Sequence, residues 1–525
     1  MRKTVKKLTA VGLTVTSVLG LVACGSSKGT TSQGTSENKE VTKPDTFTVM
    51  CDGTVVTETN GAEAFYKQLN EATGLDIKWT RPDHASYYDA VANAFNSDDT
   101  MPDVVLLSSD YYALYASNGF LWNMTDAWEH SETKNSGRLI STADNVLSAL
   151  MVNGEDGTKA MYGLSLYRGN GCCTYVKKAW LDKAGIDASK VKDVQMDFNT
   201  YYGYLKQMAQ TMGHYVISSP GFIHPEAPNT NYLPEFYQKA QYTFYKDTSG
   251  KYVDGFAQPE MKEALQRIQT AVNDGVIDKE SVNNSTANAR DKFFSTDPST
   301  ETGVFSYWAG TWANTLKTNL ANKGLDDELI AIKPIKELGA YTERIAPCWC
   351  ITSAAKNPEG IFKYFIDKML DGGDVQMLWT HGAKGTHWDD KAETVTVEKK
   401  EDQPKTYTEG QFHYLPGIEK PDQWQTKNHI DPILSIENFT NGYVGESLIP
   451  EVARENGEFF AENSQVAVPL PMTSELSNNI GDINTARTYV IAQVALGYMT
   501  VDEGMDYYNK TVGSLSNAVL KSLNK

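Results

Sequence analysis

The chain has 525 residues, 40% of them hydrophobic, and a formal net charge of −18. That length supports more than one core of ordinary domain size. The acidic balance, without any basic tract, argues against nucleic acid as a partner and against a flat contact with anionic lipid.

Arg2, Lys3, Lys6 and Lys7 precede an apolar run from Leu8 to Val22 that is too short for a comfortable membrane span. The run closes on Leu21-Val22-Ala23-Cys24 and is followed by Gly25-Ser26-Ser27. This is the pattern of a lipoprotein leader: residues 1–23 are removed, and Cys24 becomes a lipidated N-terminus. Loss of the four leader cations takes the formal charge from −18 to −22. Residues 24–44 are rich in Ser, Thr, Gly and Lys and read as a tether reaching about 25 Å. Beyond the leader, no stretch is long and apolar enough to cross a bilayer.

A strand is expected at Thr46 to Cys51, then a helix capped by Asn60 with Ala62, Phe65, Leu69 and Ala72 inward, stopped by Gly74. Leu75 to Trp79 reads as a second strand, Ser86 to Asn96 as a helix and Val104 to Leu107 as a fully apolar strand. This alternation predicts a parallel α/β sheet, whose ligands sit at the carboxyl ends of the strands. Asp52, Asp110 and Tyr111 follow such ends, although Asp is equally common as a cap or turn residue.

Further strands are expected at Met161 to Leu166, Cys172 to Val176, Gly303 to Trp308 and Ala346 to Thr352. Tyr167 and Arg168 lie on the junction between the first two. Pro259 opens a helix at its first turn, and Asn357-Pro358 begins a long amphipathic helix through Leu370. Residues 388–410 read as a polar hairpin insertion, and 478–525 as mainly helical.

Six cysteines are present: Cys24, Cys51, Cys172, Cys173, Cys348 and Cys350. With Cys24 lipidated the other five are odd in number, lack zinc-ligand spacing and read as buried free thiols. Lys246 to Lys251 lacks the alternating acids of a calcium loop, so no metal is expected. Nucleophile-elbow, zinc-protease and phosphate-loop motifs are absent, and no cofactor is expected.

The lipobox, Pro102-Asp103-Val104-Val105, the Gly119 to Thr125 segment, Tyr162-Gly163-Leu164, Lys177 to Gly185, Val304 to Trp312, Ala354 to Phe365 and His381 to Trp388 occur in a telling order. In order and spacing they resemble extracellular solute-binding proteins of family 1, the longer lipoprotein members, which are broadly similar to maltose-binding protein. The resemblance covers nearly all of Thr46 to Lys525. It implies a two-lobed α/β fold with a ligand cleft between the lobes, joined by two or three crossing strands. Lobe one would comprise 45–164 plus about 345–410, and lobe two 165–344 plus about 411–525. It also implies a monomeric, non-enzymatic receptor that captures oligosaccharides and delivers them to the transmembrane subunits of an ABC permease. Membrane contact would be through the lipid on Cys24 alone.

Sugar recognition needs aromatic faces for C–H surfaces and planar polar groups for hydroxyls. Trp308 and Trp312 flank a small-residue turn, and the resemblance implies that the tryptophan after this turn lines the cleft. Trp349 stands between two cysteines of the returning strand, where stacking platform and core residue are equally open readings. Arg168 could meet ligand hydroxyls, an acidic sugar or a surface carboxylate. His84, Trp379, His381, His387, Trp388 and Trp424 are weaker candidates, more often structural. A carbohydrate-active hydrolase and a sugar-sensing partner of a membrane kinase are the alternative functions.

Overall fold

The computed structural model describes residues 41–53, 61–136, 144–166, 169–223, 231–325, 327–395, 405–415, 450–468, 470–471 and 473–525. Cys24 with its leader, the Asn60 cap, Tyr167, Arg168 and Trp424 lie outside them.

Strand β1 (Thr46–Met50) is followed by helix α1 (Ala62–Thr73), which buries Ala62, Phe65 and Leu69. Gly74 ends α1 at φ 62°, a left-handed conformation that favours glycine. Strand β2 (Asp76–Thr80), helix α2 (Tyr87–Ala94) and strand β3 (Val104–Leu107) continue the alternation. β1 runs parallel to both neighbouring strands, with Val49 opposite Trp79 on β2 and opposite Val104 on β3. β3 is apolar throughout because helices cover both faces of a parallel sheet. Helix α3 (Ser109–Ser117) follows, and strand β4 (Gly163–Leu164) completes the first passage through lobe one.

The chain then enters lobe two. Its sheet is built on β5 (Cys172–Lys177), flanked later by antiparallel partners. Helices α4 (Phe198–Met212) and α5 (Pro259–Asn273) pack beside it, α4 capped by the Asp197 carboxylate and α5 opened by proline. Strand β6 (Val304–Trp308), helix α6 (Thr311–Asn322) and strand β7 (Leu329–Ala331) follow, giving the order β6-β5-β7.

Strand β8 (Tyr341–Glu343) leads back to β9 (Cys348–Ile351), which inserts antiparallel between β3 and β4 and closes lobe one as β2-β1-β3-β9-β4. The long helix expected from Asn357 is broken. A helical turn at Pro358–Ile361, with Asn357 accepting from the Gly360 amide, widens into a π segment at Phe362–Ile366 and tightens into 3-10 turns at Asp367–Leu370. Side-chain periodicity carries no signal for such changes of pitch. Helix α7 (Asp374–His381) carries the insertion, whose strands pair as 388–389 with 413–414 and 393–395 with 405–407.

Helix α8 (Glu451–Glu462) and strand β10 (Ser464–Val466) come next, and β10 pairs in parallel with β8. Two long helices end the chain, α9 (Ser474–Ala495) and α10 (Val501–Leu523), the latter begun by a Thr500–Glu503 capping box. Separate cores fill the lobes: one is built from residues between Phe47 and Leu166 and between Ile345 and Ala383, the other from residues between Val176 and Ile335 with the two terminal helices. Cys51, Cys172, Cys173, Cys348 and Cys350 are buried, and no disulfide joins any two of them. Among the described residues no helix is long and apolar enough to cross a membrane.

Candidate functional site

Topology fixes which strand ends of each sheet lie beside the crossing segments. β1, β2, β3 and β4 are mutually parallel, and β9 runs against them, with Cys348 opposite Leu107 and Trp349 opposite Leu164. The exit from β4 and the entry to β9 therefore lie together at the carboxyl edge of lobe one. The Ser165 hydroxyl joins them by donating to the Ala346 carbonyl at 2.7 Å. In lobe two, β5 starts at this junction, with Trp308 at the end of β6 opposite Cys172. The carboxyl ends of β6 and β7 thus lie at the end of the sheet where β5 begins.

Between these edges the crossing segments form a close ribbon. The Arg344 amide donates to the Asn170 carbonyl at 3.0 Å, and the Ala467 amide to the Glu343 carbonyl at 2.7 Å. A Cβ on Gly169 would stand 1.7 Å from the Arg344 carbonyl oxygen, and one on Gly171 2.0 Å from that of Thr342. Glycine is needed at both positions because backbone meets backbone there. On the lobe-two side of the ribbon, the rings of Tyr341 and Phe460 stack. On the other side, Val466 packs against the core of lobe one.

The lobe-one edge carries Asp52, just past β1, paired through its carboxylate to His84 Nδ1 at 2.5 Å. Asp52 is largely enclosed and His84 is open to solvent. Tyr111, in the first turn of α3, stacks on Tyr88 with centroids 4.0 Å apart and planes 8° apart. The Tyr88 hydroxyl accepts from the Ser108 amide, which fixes this pair at the strand end. Arg81 lies 5.1 Å above the Tyr66 ring. Asp110 falls in the first turn of α3.

The lobe-two edge carries Trp308, half-buried, with the Arg344 guanidinium 4.6 Å from its ring centroid. Trp312 stands in the first turn of α6 and is 39% exposed, one of the few large apolar side chains so open. The turn before it is held by Asn456, whose Oδ1 accepts from the Gly310 amide at 2.7 Å and from the Tyr175 hydroxyl at 2.9 Å. Gly310 takes φ 65°, which explains the glycine in this Ala-Gly-Thr turn. Tyr307 meets Trp312 edge to face at 5.9 Å.

Trp349 is not a stacking platform. β9 lies between two strands with both faces covered, and Trp349 is 1% exposed, edge to face with Phe365 at 5.9 Å and Trp379 at 5.8 Å. Trp379, His381, His387 and Trp388 are buried as well. Neither Asn456 nor Arg344 carries a local motif: Asn456 acts through tertiary contact with the turn after β6 and with Tyr175 of β5, Arg344 through the Trp308 ring. Depressions of about 310 Å³ beside Lys206 and Asp274 and about 210 Å³ beside Gln238 and Arg267 lie elsewhere on lobe two and include no residue of this edge. Lys246 to Lys251 is a hairpin turn in which Asp247 accepts from the Ser249 and Lys251 amides. Among the described residues no three His, Cys, Asp or Glu side chains gather as a metal site.

Two buried groups set opposite pH dependences. Burial pushes the Glu235 carboxyl, beneath Tyr341 of the crossing ribbon, up to about 7 from 4.5. Burial pushes His381, bonded through Nδ1 to the Tyr414 hydroxyl at 2.8 Å, down to about 3 from 6.5. The Glu235 contribution to stability is full below about pH 4.5 and is lost as pH rises through 7. The His381 contribution is full above pH 6.5 and is lost as pH falls towards 3. Each slope is at most about 1.4 kcal/mol per pH unit, and the two oppose each other between pH 4.5 and 6.5. Relative to wild type, His381→Phe should gain stability as pH falls from 7 to 5, and Glu235→Gln should gain it as pH rises from 5 to 8. Urea denaturation across this range checks both, and parallel profiles in all three proteins would contradict the assignment.

No protein-family model matches the chain, and no curated protein matches it in sequence. Its fold is that of solved solute-binding proteins. An HMO-binding, ABC-transporter-associated solute-binding protein from Bifidobacterium longum infantis superposes with TM-score 0.60 at 14% identity, over 91% of this chain and 98% of that one. An N-glycan transport solute-binding protein from Streptococcus pneumoniae gives TM-score 0.57 at 17% identity, over 91% and 98%. An extracellular solute-binding protein of family 1 from Alicyclobacillus acidocaldarius gives 0.57 at 14%, over 91% and 100%. The chain therefore has the two-lobed fold of extracellular solute-binding proteins.

Proposed function

We propose that this chain is a lipid-anchored substrate-binding protein of an ABC importer, which captures oligosaccharides between its lobes and hands them to a permease. The observation that carries the reading is the aromatic and polar lining of the strand ends beside the crossing segments: the exposed Trp312 and half-buried Trp308 in lobe two, the Tyr88–Tyr111 stack and the Asp52 carboxylate in lobe one. Flat aromatic faces beside planar polar groups suit sugar rings and their hydroxyls. The narrow ribbon between the lobes suits hinge closure around a ligand. Solved neighbours named for oligosaccharide and N-glycan transport point the same way. Lipid on Cys24 would hold the receptor within reach of its permease by raising local concentration. Asp110, Tyr167 and Arg168 belong to the same proposed cleft by their place in the chain.

Trp312→Ala removes an exposed ring from a turn that Asn456 holds independently, so the fold should survive. Affinity for a bound glycan should fall by about thirtyfold, equivalent to about 2 kcal/mol. Calorimetry of both proteins checks this, and unchanged affinity would remove Trp312 from the site. Chromatography of the glycan after incubation separates this reading from a hydrolase, since a receptor returns it uncut.

A further inference from the structure

Arginine usage at the cleft edge narrows the class of sugar. Arg267, Arg454 and Arg487 each pair with a carboxylate, at 2.7, 3.6 and 2.8 Å. Arg81 lies on the lobe-one edge over Tyr66. Arg290 and Arg344 form no ion pair with any described residue, although acidic residues outnumber Lys and Arg by 66 to 48. Both close on the last two residues of β6. Arg290 Nη1 donates to the Tyr307 hydroxyl at 2.8 Å, and the Arg344 guanidinium covers the Trp308 ring. Successive residues of a strand point to opposite faces, so the two cations flank the strand end from either side.

We propose that this strand end recognises an anionic sugar, and that Arg344, seated on Trp308, receives the carboxylate of a uronic or sialic acid unit. The inference rests on the oligosaccharide-binding reading above. Arg344 is partly desolvated, its backbone is fixed by the Asn170 carbonyl, and its planar fork matches a carboxylate bidentately. The aromatic ring orients the guanidinium but does not neutralise it. A ligand carboxylate would supply the missing countercharge. A chain this acidic repels anionic ligands at long range, so preference for an acidic sugar must be created locally by such unpaired cations. Arg290 adds positive potential from the other face as a positioning residue for Tyr307 and Trp312.

The test is an array of uronate-containing and sialylated oligosaccharides, each beside its carboxyl-reduced counterpart, probed with the full chain purified in detergent. The strongest binder should be an acid that loses about tenfold or more in affinity on carboxyl reduction. Arg344→Gln should bring the acid-to-neutral ratio close to one, and Arg344→Lys, which keeps a point charge, should retain part of it. Added salt should lower the ratio in wild type and leave it unchanged in Arg344→Gln. A neutral strongest binder, or a ratio that persists in Arg344→Gln, would overturn this inference alone. Absence of binding to every glycan would overturn the oligosaccharide-binding reading with it.

Discussion

Asp254→Ala will lower the unfolding free energy by about 3–5 kcal/mol, the largest single-residue effect expected in this chain. Asp254 is 3% exposed and accepts from Arg487 at 2.8 Å, from the Tyr508 hydroxyl at 2.7 Å, from the Ser516 hydroxyl at 2.6 Å and from the Phe256 amide at 3.0 Å. One carboxylate thus ties the 252–254 strand to both terminal helices. Arg487 is fully buried among Tyr242, Phe244, Phe256 and Tyr508, each ring within 6.0 Å of the guanidinium carbon. Removal of the carboxylate strands that cation in an aromatic core, where its hydration cannot be replaced. Loss of both charges should cost far less than the two single losses together. Asp254→Leu combined with Arg487→Met should recover the part of the loss due to the stranded cation, while the Tyr508, Ser516 and Phe256 donors stay without their acceptor. Denaturant titration of the two single variants and the double variant measures this, and strictly additive losses would show that the pair is not coupled.

Gly171→Ala should be nearly as damaging, through a different cause. Its Cβ would stand 2.0 Å from the Thr342 carbonyl oxygen and 2.8 Å from Phe460 Cζ, so the crossing segments must part. Overpacking of this kind costs about 1–3 kcal/mol or more. The displaced strand is β8, which carries Glu343 and leads to Arg344, so glycan affinity should fall with stability. Gly203 in α4 has open space where its Cβ would lie, and Gly203→Ala should stabilise by about 0.5–1 kcal/mol with unchanged affinity. Thermal melts and glycan titrations of both variants give the comparison. Normal affinity in a folded Gly171→Ala protein would show that the ribbon does not govern the site.

Lobe one was legible because its elements are locally consistent. The Thr-apolar alternation from Thr46 to Val49 and the apolar run Val104 to Leu107 alternate with amphipathic segments bounded by Gly74 and Pro102. Expecting the two-lobed fold also depended on motif order along the chain, and that fold is present. The region after Asn357 was legible only at its cap, since nothing in residue spacing distinguishes α, π and 3-10 pitch. Trp308 and Trp312 stood out because they flank the Ala-Gly-Thr turn and because the resemblance implied a cleft role, and Gly310 at φ 65° accounts for the glycine in that turn. Trp349 could not be sorted in this way. Alternation separates faces only where one of them is solvated, and β9 is covered on both. Arg344 and Asn456 were invisible for a third reason. They act on Trp308 and on the turn after it from 36 and 148 residues beyond Trp308, through contacts that exist only after the tertiary fold has assembled.

Calorimetric titration of the full chain with purified oligosaccharides, peptides and divalent metals decides whether the protein is an oligosaccharide receptor. Saturable one-to-one binding of one glycan class is expected, micromolar or tighter (about −8 kcal/mol or more favourable), with the glycan recovered intact. Binding of a peptide or a metal with no response to any glycan would contradict it.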